Sequence, residues 1–290
     1  MARSFLVLGI IAVLFYFAYK AINEHFNDNE EFAIQYIPVT DFEGNDTIVL
    51  SARRVWDISG IDQKGTIFQV DLDDVERRLR ERPEVISAEV DRKLPDTIEI
   101  KIEERIPVAW LSCRELGLAG RSPYKGLLID QFGVTFKSEM EFWEIAKKLP
   151  VIEVSATSED DFKLGMKMNH PDCERALQFV MSLDVLGPQD WGVDRVIVEN
   201  FYTLKVICTD EVEAQFSMYE HDEQLKKLLL VREHAANNGK KLAWIDLRPK
   251  TNNPGGYQDG GMVRNEPSEE EAQPINTLDP STQSILDRDN

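Results

Sequence analysis

Gly65–Leu111 reads GTIFQVDLDDVERRLRERPEVISAEVDRKLPDTIEIKIEERIPVAWL, and the alternation in its second half decides the fold. In Val85–Asp91 the residues Ile86, Ala88 and Val90 alternate with Ser87, Glu89 and Asp91. In Thr97–Glu103 the residues Ile98, Ile100 and Ile102 alternate with Thr97, Glu99, Lys101 and Glu103. A strict period of two marks a sheet with one wet face and one covered face. Leu94-Pro95-Asp96 supplies the turn between the two strands. Ahead of them Asp71 caps a helix whose Leu72, Val75 and Leu79 form an apolar stripe, and Pro83 ends it.

Working upstream, Gln63-Lys64-Gly65 reads as a turn, and Ser51 as the N-cap of a helix with Val55, Trp56 and Ile58 inward. Residues 32–39 (FAIQYIPV) read as a strand with Phe32, Ile34 and Tyr36 on one face. The order β-α-α-β-β over residues 31–105 describes a compact α+β module with an exposed sheet edge.

Phe5–Ile22 reads FLVLGIIAVLFYFAYKAI, with Lys20 as its one charge. As a helix this run spans roughly 27 Å, close to the thickness of a bilayer's hydrocarbon core. Phe15, Tyr16, Phe17 and Tyr19 cluster at the end where aromatic rings favour the interface, and Arg3 precedes the run while Glu24, Asp28, Glu30 and Glu31 follow it. A single-pass anchor over residues 1–23 is therefore expected, with a cytoplasmic N-terminus and an extracytoplasmic body. The rival, a cleaved signal peptide, needs small residues at −3 and −1 of the cut, where the run offers Ala18-Tyr19-Lys20 and Tyr19-Lys20-Ala21.

The quoted stretch resembles the polypeptide-transport-associated (POTRA) domain of the bacterial division proteins FtsQ and DivIB. The matching residues are Gly65 with Phe68, then Val70-Asp71-Leu72. They continue with Pro83, Val85, Ala88, Val90, Arg92 and Pro95, and finish with Ile100, Ile102, Glu104, Arg105 and Pro107-Val108-Ala109. Nearly all of these have a structural reading as well: a helix stop, core contacts, a turn.

Residues 106–249 read as a second domain, mostly strands with flanking helices. Gly126–Asp130 and Val134–Phe136 flank the turn Gln131-Phe132-Gly133. A helix near 172–185 places Cys173, Ala176, Leu177, Val180 and Met181 on one face. Arg195–Glu199, Tyr202–Cys208 and Val212–Met218 form a meander, a helix runs from His221 to Ala236, and Leu242–Arg248 is a strand. Gln131-Phe132-Gly133, Leu149-Pro150-Val151 and the string Ile245-Asp246-Leu247-Arg248 extend the resemblance. From residue 250 to 290 eight acidic residues face three basic ones, which predicts a solvated, disordered tail.

The net charge of −19 excludes a phosphate-binding stripe and hence a nucleic-acid protein. No G-x-S-x-G, H-E-x-x-H, P-loop or G-x-G-x-x-G ahead of a helix occurs, so neither an enzyme, nor a cofactor, nor a small-molecule substrate is expected. His170-x-x-Cys173 has metal-like spacing, but two ligands do not close a site, and no metal is assigned. The three cysteines, Cys113, Cys173 and Cys208, do not make a disulfide framework.

What the resemblance implies is a non-catalytic bitopic scaffold at the division septum of the cell inner (plasma) membrane. Its POTRA domain would help place it at the septum, and its β domain would recruit divisome subunits, the coiled-coil membrane proteins FtsB and FtsL. Docking would proceed by pairing of a partner's extended segment with the edge of the last strand, through Trp244, Ile245, Leu247 and Arg248. The family's final edge strand should begin near Pro249, where Asn252-Asn253-Pro254-Gly255-Gly256 stands. That strand is either displaced towards Gly261-Met262-Val263 or absent. The alternative function is a POTRA-bearing subunit of an outer-membrane protein secretion or assembly system, which requires about eight or more barrel strands.

Overall fold

The computed structural model describes residues 29–250 except 157 and 188, residues 253–258, and positions 11, 13–17, 20 and 26. The chain divides into two compact units, Met1–Ile106 and Pro107–Asn290. The anchor expected over Phe5–Ile22 lies largely outside the described residues. Ile11, Val13–Phe17 and Lys20 are helical, with the apolar side chains of Ile11 and Val13–Phe17 exposed. No helix of the described residues is long and apolar enough to cross a membrane.

In the first unit β1 (Val39–Thr40), α1 (Ala52–Ser59), α2 (Leu72–Arg80), β2 (Val85–Lys93) and β3 (Thr97–Glu104) follow in the expected order. The sheet order is β1-β3-β2, with β1 parallel and β2 antiparallel to β3. Ile98, Ile100 and Ile102 are fully buried, so the alternation of β3 sets which face the helices cover. Both predicted caps form: Ser51 Oγ accepts from Arg54 N, and an Asp71 carboxylate oxygen from Asp74 N.

Two expectations are corrected here. The strand expected over 32–39 reduces to single bridges, Ala33 to Thr66 and Tyr36 to Thr97, ahead of the two-residue β1. Tyr36, expected with Ile34 on the inner face, is exposed. Secondly, a bulge between Val85 and Ser87 changes the parity at the start of β2, so Val85 is buried and Ile86 exposed, while Ala88 and Val90 are buried as expected. One inserted residue moves a side chain to the opposite face, and periodicity alone does not reveal where that residue sits.

The residues shared with the POTRA pattern hold this unit together. Arg92 Nε donates to Ile67 O at 2.8 Å and its Nη2 to Val70 O, while Arg105 Nε donates to Pro83 O at 2.7 Å. Glu104 is the most connected: its carboxylate accepts the backbone N–H groups of Ile48, Val49 and Leu50, with Val49 N at 3.0 Å. One side chain thereby fixes the chain that leads into α1. Phe26, Phe32 and Phe68 form a mutual ring cluster with centroids 4.9 to 5.4 Å apart.

The second unit contains, among the described residues, one nine-stranded sheet ordered β12-β11-β10-β9-β8-β7-β4-β5-β6. Its strands are β4 (Pro107–Ser112), β5 (Leu127–Asp130), β6 (Thr135–Lys137), β7 (Val151–Glu153), β8 (Val193–Asn200), β9 (Thr203–Cys208), β10 (Glu213–Phe216), β11 (Lys241–Asp246) and β12 (Gly255–Gln258). The β4–β7, β7–β8 and β10–β11 pairs are parallel. A short helix α3 (Trp143–Ala146) contacts β4, and α4 (Pro171–Met181) packs against β4, β7 and β8. The long α5 (His221–Asn237) packs against β11. Phe179 of α4 and Phe216 of β10 meet edge to face at 4.7 Å within this core. Met181, expected on the inner face of α4, is exposed, and the helix gives way to a 3-10 turn at Ser182–Leu186.

Replacing Glu104 by Ala leaves three N–H groups without their acceptor and is expected to lower stability by about 1–3 kcal/mol in urea unfolding. His221, the first residue of α5, is buried against Phe179 and its Nε2 has no partner among the described residues. Burial holds its imidazole below the ordinary value of 6.5. The unfolded chain therefore binds a proton first, and stability is full above 6.5 and lost as pH falls from there towards the depressed folded value. His221→Phe is expected to flatten that limb in denaturation curves measured across this range.

Candidate partner-docking edge

The far end of the nine-stranded sheet is built by β11 and β12, the last strands among the described residues. Leu242, Ile245 and Leu247 are buried, which fixes the register of β11 in the core. On one side β11 pairs in parallel with β10, Ala214 opposite Ile245, and Leu247 N continues the ladder to Gln215 O at 2.8 Å. On the other side it pairs antiparallel with β12, Ile245 opposite Gly255 and Trp244 opposite Gly256.

This corrects the expectation for the docking residues. Ile245 and Leu247 belong to the core, and the backbone of β11 is paired on both sides. Trp244 is half-buried and Arg248 exposed. Among the described residues the last strand is Gly255–Gln258, so a strand after Arg248 is present, while Gly261-Met262-Val263 falls outside the described residues. The stretch expected as a disordered tail from residue 250 therefore contains an ordered strand. Sequence reading missed it because two of its four residues are glycines, which carry weak strand propensity. Tyr257 is the signal present, a lone aromatic that packs on the core with Lys240 Nζ 4.9 Å above its ring.

A polar clamp holds the turn between the two strands. Asn253 Nδ2 donates to Asp246 O at 2.9 Å and to Pro249 O at 2.8 Å, and Asp246 N donates to Pro254 O at 2.9 Å. The Arg248 guanidinium forks onto Asp246, Nε to Oδ1 at 2.9 Å and Nη2 to Oδ2 at 2.6 Å, and its Nη1 donates to Thr203 Oγ1 at 3.0 Å. Partial burial acts to raise the Asp246 carboxyl, but its hydrogen bonds from Arg248 outweigh this and hold it below the ordinary carboxylate value. Arg248 is correspondingly raised by the same bonds.

Because Pro254 O points towards β11, the period of two directs the N–H and C=O groups of Gly255 and Tyr257 outward. Among the described residues no strand pairs with that outer side. The opposite end of the sheet differs: β6 is covered by the segment between β7 and α4, with Gly165 N donating to Thr135 O at 2.8 Å and Thr135 N to Met166 O at 3.3 Å.

The remaining candidates resolve structurally. His170 Nδ1 accepts from Cys173 N at 3.2 Å, so the His-x-x-Cys spacing is that of a helix cap. Burial pushes the Cys173 thiol up, and that of Cys208 up to about 12. Among the described residues no group of three or more metal-ligating side chains occurs.

Residues 39–105 match the family model described as "POTRA domain, FtsQ-type". This segment is similar to FtsQ-type POTRA domains. Similar curated proteins carry division names. The cell division protein FtsQ of Koribacter versatilis (strain Ellin345) is 32% identical over 109 residues, 37% of this chain and 30% of that protein. The cell division protein DivIB of Geobacillus kaustophilus (strain HTA426) is 33% identical over 66 residues, 23% of this chain and 25% of that protein. The cell division protein FtsQ of Syntrophotalea carbinolica is 32% identical over 78 residues, 27% of this chain and 28% of that protein. The matches thus span less than a third of the length of these relatives, and they support the FtsQ/DivIB family for the chain that carries this POTRA domain.

Asn253→Ala removes two hydrogen bonds that fasten the β11–β12 turn. It is expected to speed amide exchange at Asp246 and Gly256 by about tenfold while the strands further into the sheet keep their protection.

Proposed function

We propose that this protein is a membrane-anchored scaffold of bacterial cell division that recruits partners by strand addition at the outer edge of β12. The observation that carries the reading is the free edge itself: a short, glycine-rich last strand whose outward groups at Gly255 and Tyr257 are unpaired among the described residues. A free edge is a template for another chain, and main-chain hydrogen bonds then supply affinity while alternate side chains supply specificity. The FtsQ-type POTRA domain and the division names of the similar proteins favour this over a role in outer-membrane protein assembly.

The partners of this reading are the divisome's small coiled-coil membrane subunits, FtsB- and FtsL-like. The exposed apolar helical residues Ile11 and Val13–Phe17 support a single-pass anchor, with the body outside the cytoplasm at the septum. Of the side chains first expected to dock, Trp244 lies beside the edge opposite Gly256, Arg248 reaches the other way to Thr203 of β9, and Ile245 and Leu247 contribute by fixing the register of β11.

The test is co-purification of the full chain with the FtsB-like subunit of the same host from detergent-solubilised membranes. Gly255→Pro removes an outward N–H without deleting a side chain or a bond to β11, and proline is tolerated on an edge. It is expected to abolish recovery of the subunit and to leave the melting temperature nearly unchanged. Undiminished recovery rejects docking at β12.

A further inference from the structure

In the three-stranded sheet of the first unit, β2 (Val85–Lys93) lies at one end. Ile100 stands opposite Val90, and its N donates to Pro38 O on the β1 side at 3.0 Å. The pair therefore shares no ladder bonds, and the N–H and C=O of Val90 point away from β3. By the period of two, those of Arg92 point the same way. Outward groups of this kind are a template for another chain. Among the described residues no strand pairs with them, but a side chain does. Glu76 Oε1 accepts from Val90 N at 3.1 Å, and Arg80 Nη2, one turn further along α2, donates to Glu76 Oε2 at 2.7 Å. Val75 and Leu79 are buried, which seats α2 on the sheet and leaves the half-buried Glu76 at its margin. The ion pairs of Arg77 and Arg78 with Asp74 and Glu81 stay within the helical segment, whereas Glu76 reaches across to a strand.

A strand added at β2 must offer a carbonyl to Val90 N. That carbonyl has to displace the Glu76 carboxylate and then lie beside it, oxygen against oxygen, and a hydrogen bond to a charged acceptor is exchanged for one to a neutral acceptor. We propose that Glu76, held by Arg80, is a guard that closes the β2 edge, and that the chain it keeps out is a second copy of this one. The charges of β2 itself point to the second copy. In an antiparallel pair centred on Asp91, Val90 stands opposite Arg92 and Glu89 opposite Lys93, each twice, and only the two Asp91 carboxylates oppose one another. Without the guard this strand is complementary to itself. The guard is independent of docking at β12, since it concerns a different sheet.

The test uses the full chain in detergent, with amide hydrogen exchange read at Val90 and Arg92 and sedimentation velocity run over a range of concentrations. In the unaltered chain Val90 is expected to be protected and both amides to be independent of concentration. Glu76→Ala keeps a good helix former in α2 and is expected to speed exchange at Val90 about tenfold in dilute solution. As its concentration rises, a dimer is expected in which Val90 and Arg92 become protected together, since each then bonds to the second copy. Glu76→Gln retains an acceptor for Val90 N and is expected to behave as the unaltered chain does. Equal exchange at Val90 in the unaltered chain and in Glu76→Ala overturns the contact, and the proposal with it. Faster exchange at Val90 without concentration-dependent protection overturns the guarding role, and so does such protection in the unaltered chain. A Glu76→Ala dimer that leaves both amides exchanging freely forms through another surface and overturns the proposal as well.

Discussion

Burial of Leu242, Ile245 and Leu247 pins β11 in register, and the C-terminal end of the large sheet depends on that strand. Ile245 and Leu247 alternate onto the core face, where a slip of one residue would expose both, and the bulge between Leu242 and Trp244 brings Leu242 to the same core. With the register fixed, Trp244 is directed onto the wetter face, Asp246 and Arg248 come beside Thr203, and the carbonyl of Asp246 is presented to Asn253. The turn to β12 follows from those contacts. The geometry of the β11–β12 end is therefore a consequence of the apolar packing beneath it.

The POTRA unit obeys a parallel logic in miniature. Three fully buried isoleucines in β3 define one covered face, and two capped helices close over it. Arg92, Glu104 and Arg105 then satisfy backbone groups that no strand or helix reaches. These polar residues are part of the family's sequence pattern, and their contacts explain it: they bond to main chain at 2.7 to 3.0 Å and tie loops to the sheet. A buried or half-buried N–H without an acceptor is costly, so a single carboxylate serving three of them has few substitutes.

The elements that sequence reading located well are those whose signal is local. The caps at Ser51 and Asp71, the alternation of Ile98, Ile100 and Ile102, and the meander from β8 to β10 each declare themselves within a few residues. Where a non-local contact overrides the local pattern, the reading failed. The bulge at Val85–Ser87 put Ile86 outside an alternation that Ala88 and Val90 keep, Tyr36 turned outward in a segment stitched by single bridges, and Met181 left the core when α4 tightened into a 3-10 turn. His170 and Cys173 carried a ligand-like spacing that turned out to be a helix cap.

The sequence by itself determined the β-α-α-β-β module and the β-rich character of the residues after it, because hydrophobic period and helix signals are written into neighbouring residues. The tertiary structure alone decided that β11 is an interior strand and that, among the described residues, Gly255–Gln258 is the edge. A pair of glycines has little intrinsic preference for a strand, and it forms one here because Trp244 lies against its backbone and Tyr257 and Asn253 fasten it on either side. Which residues of a docking strand face the core and which face a partner depends on what pairs with each of its sides. That pairing is set by residues distant in the chain.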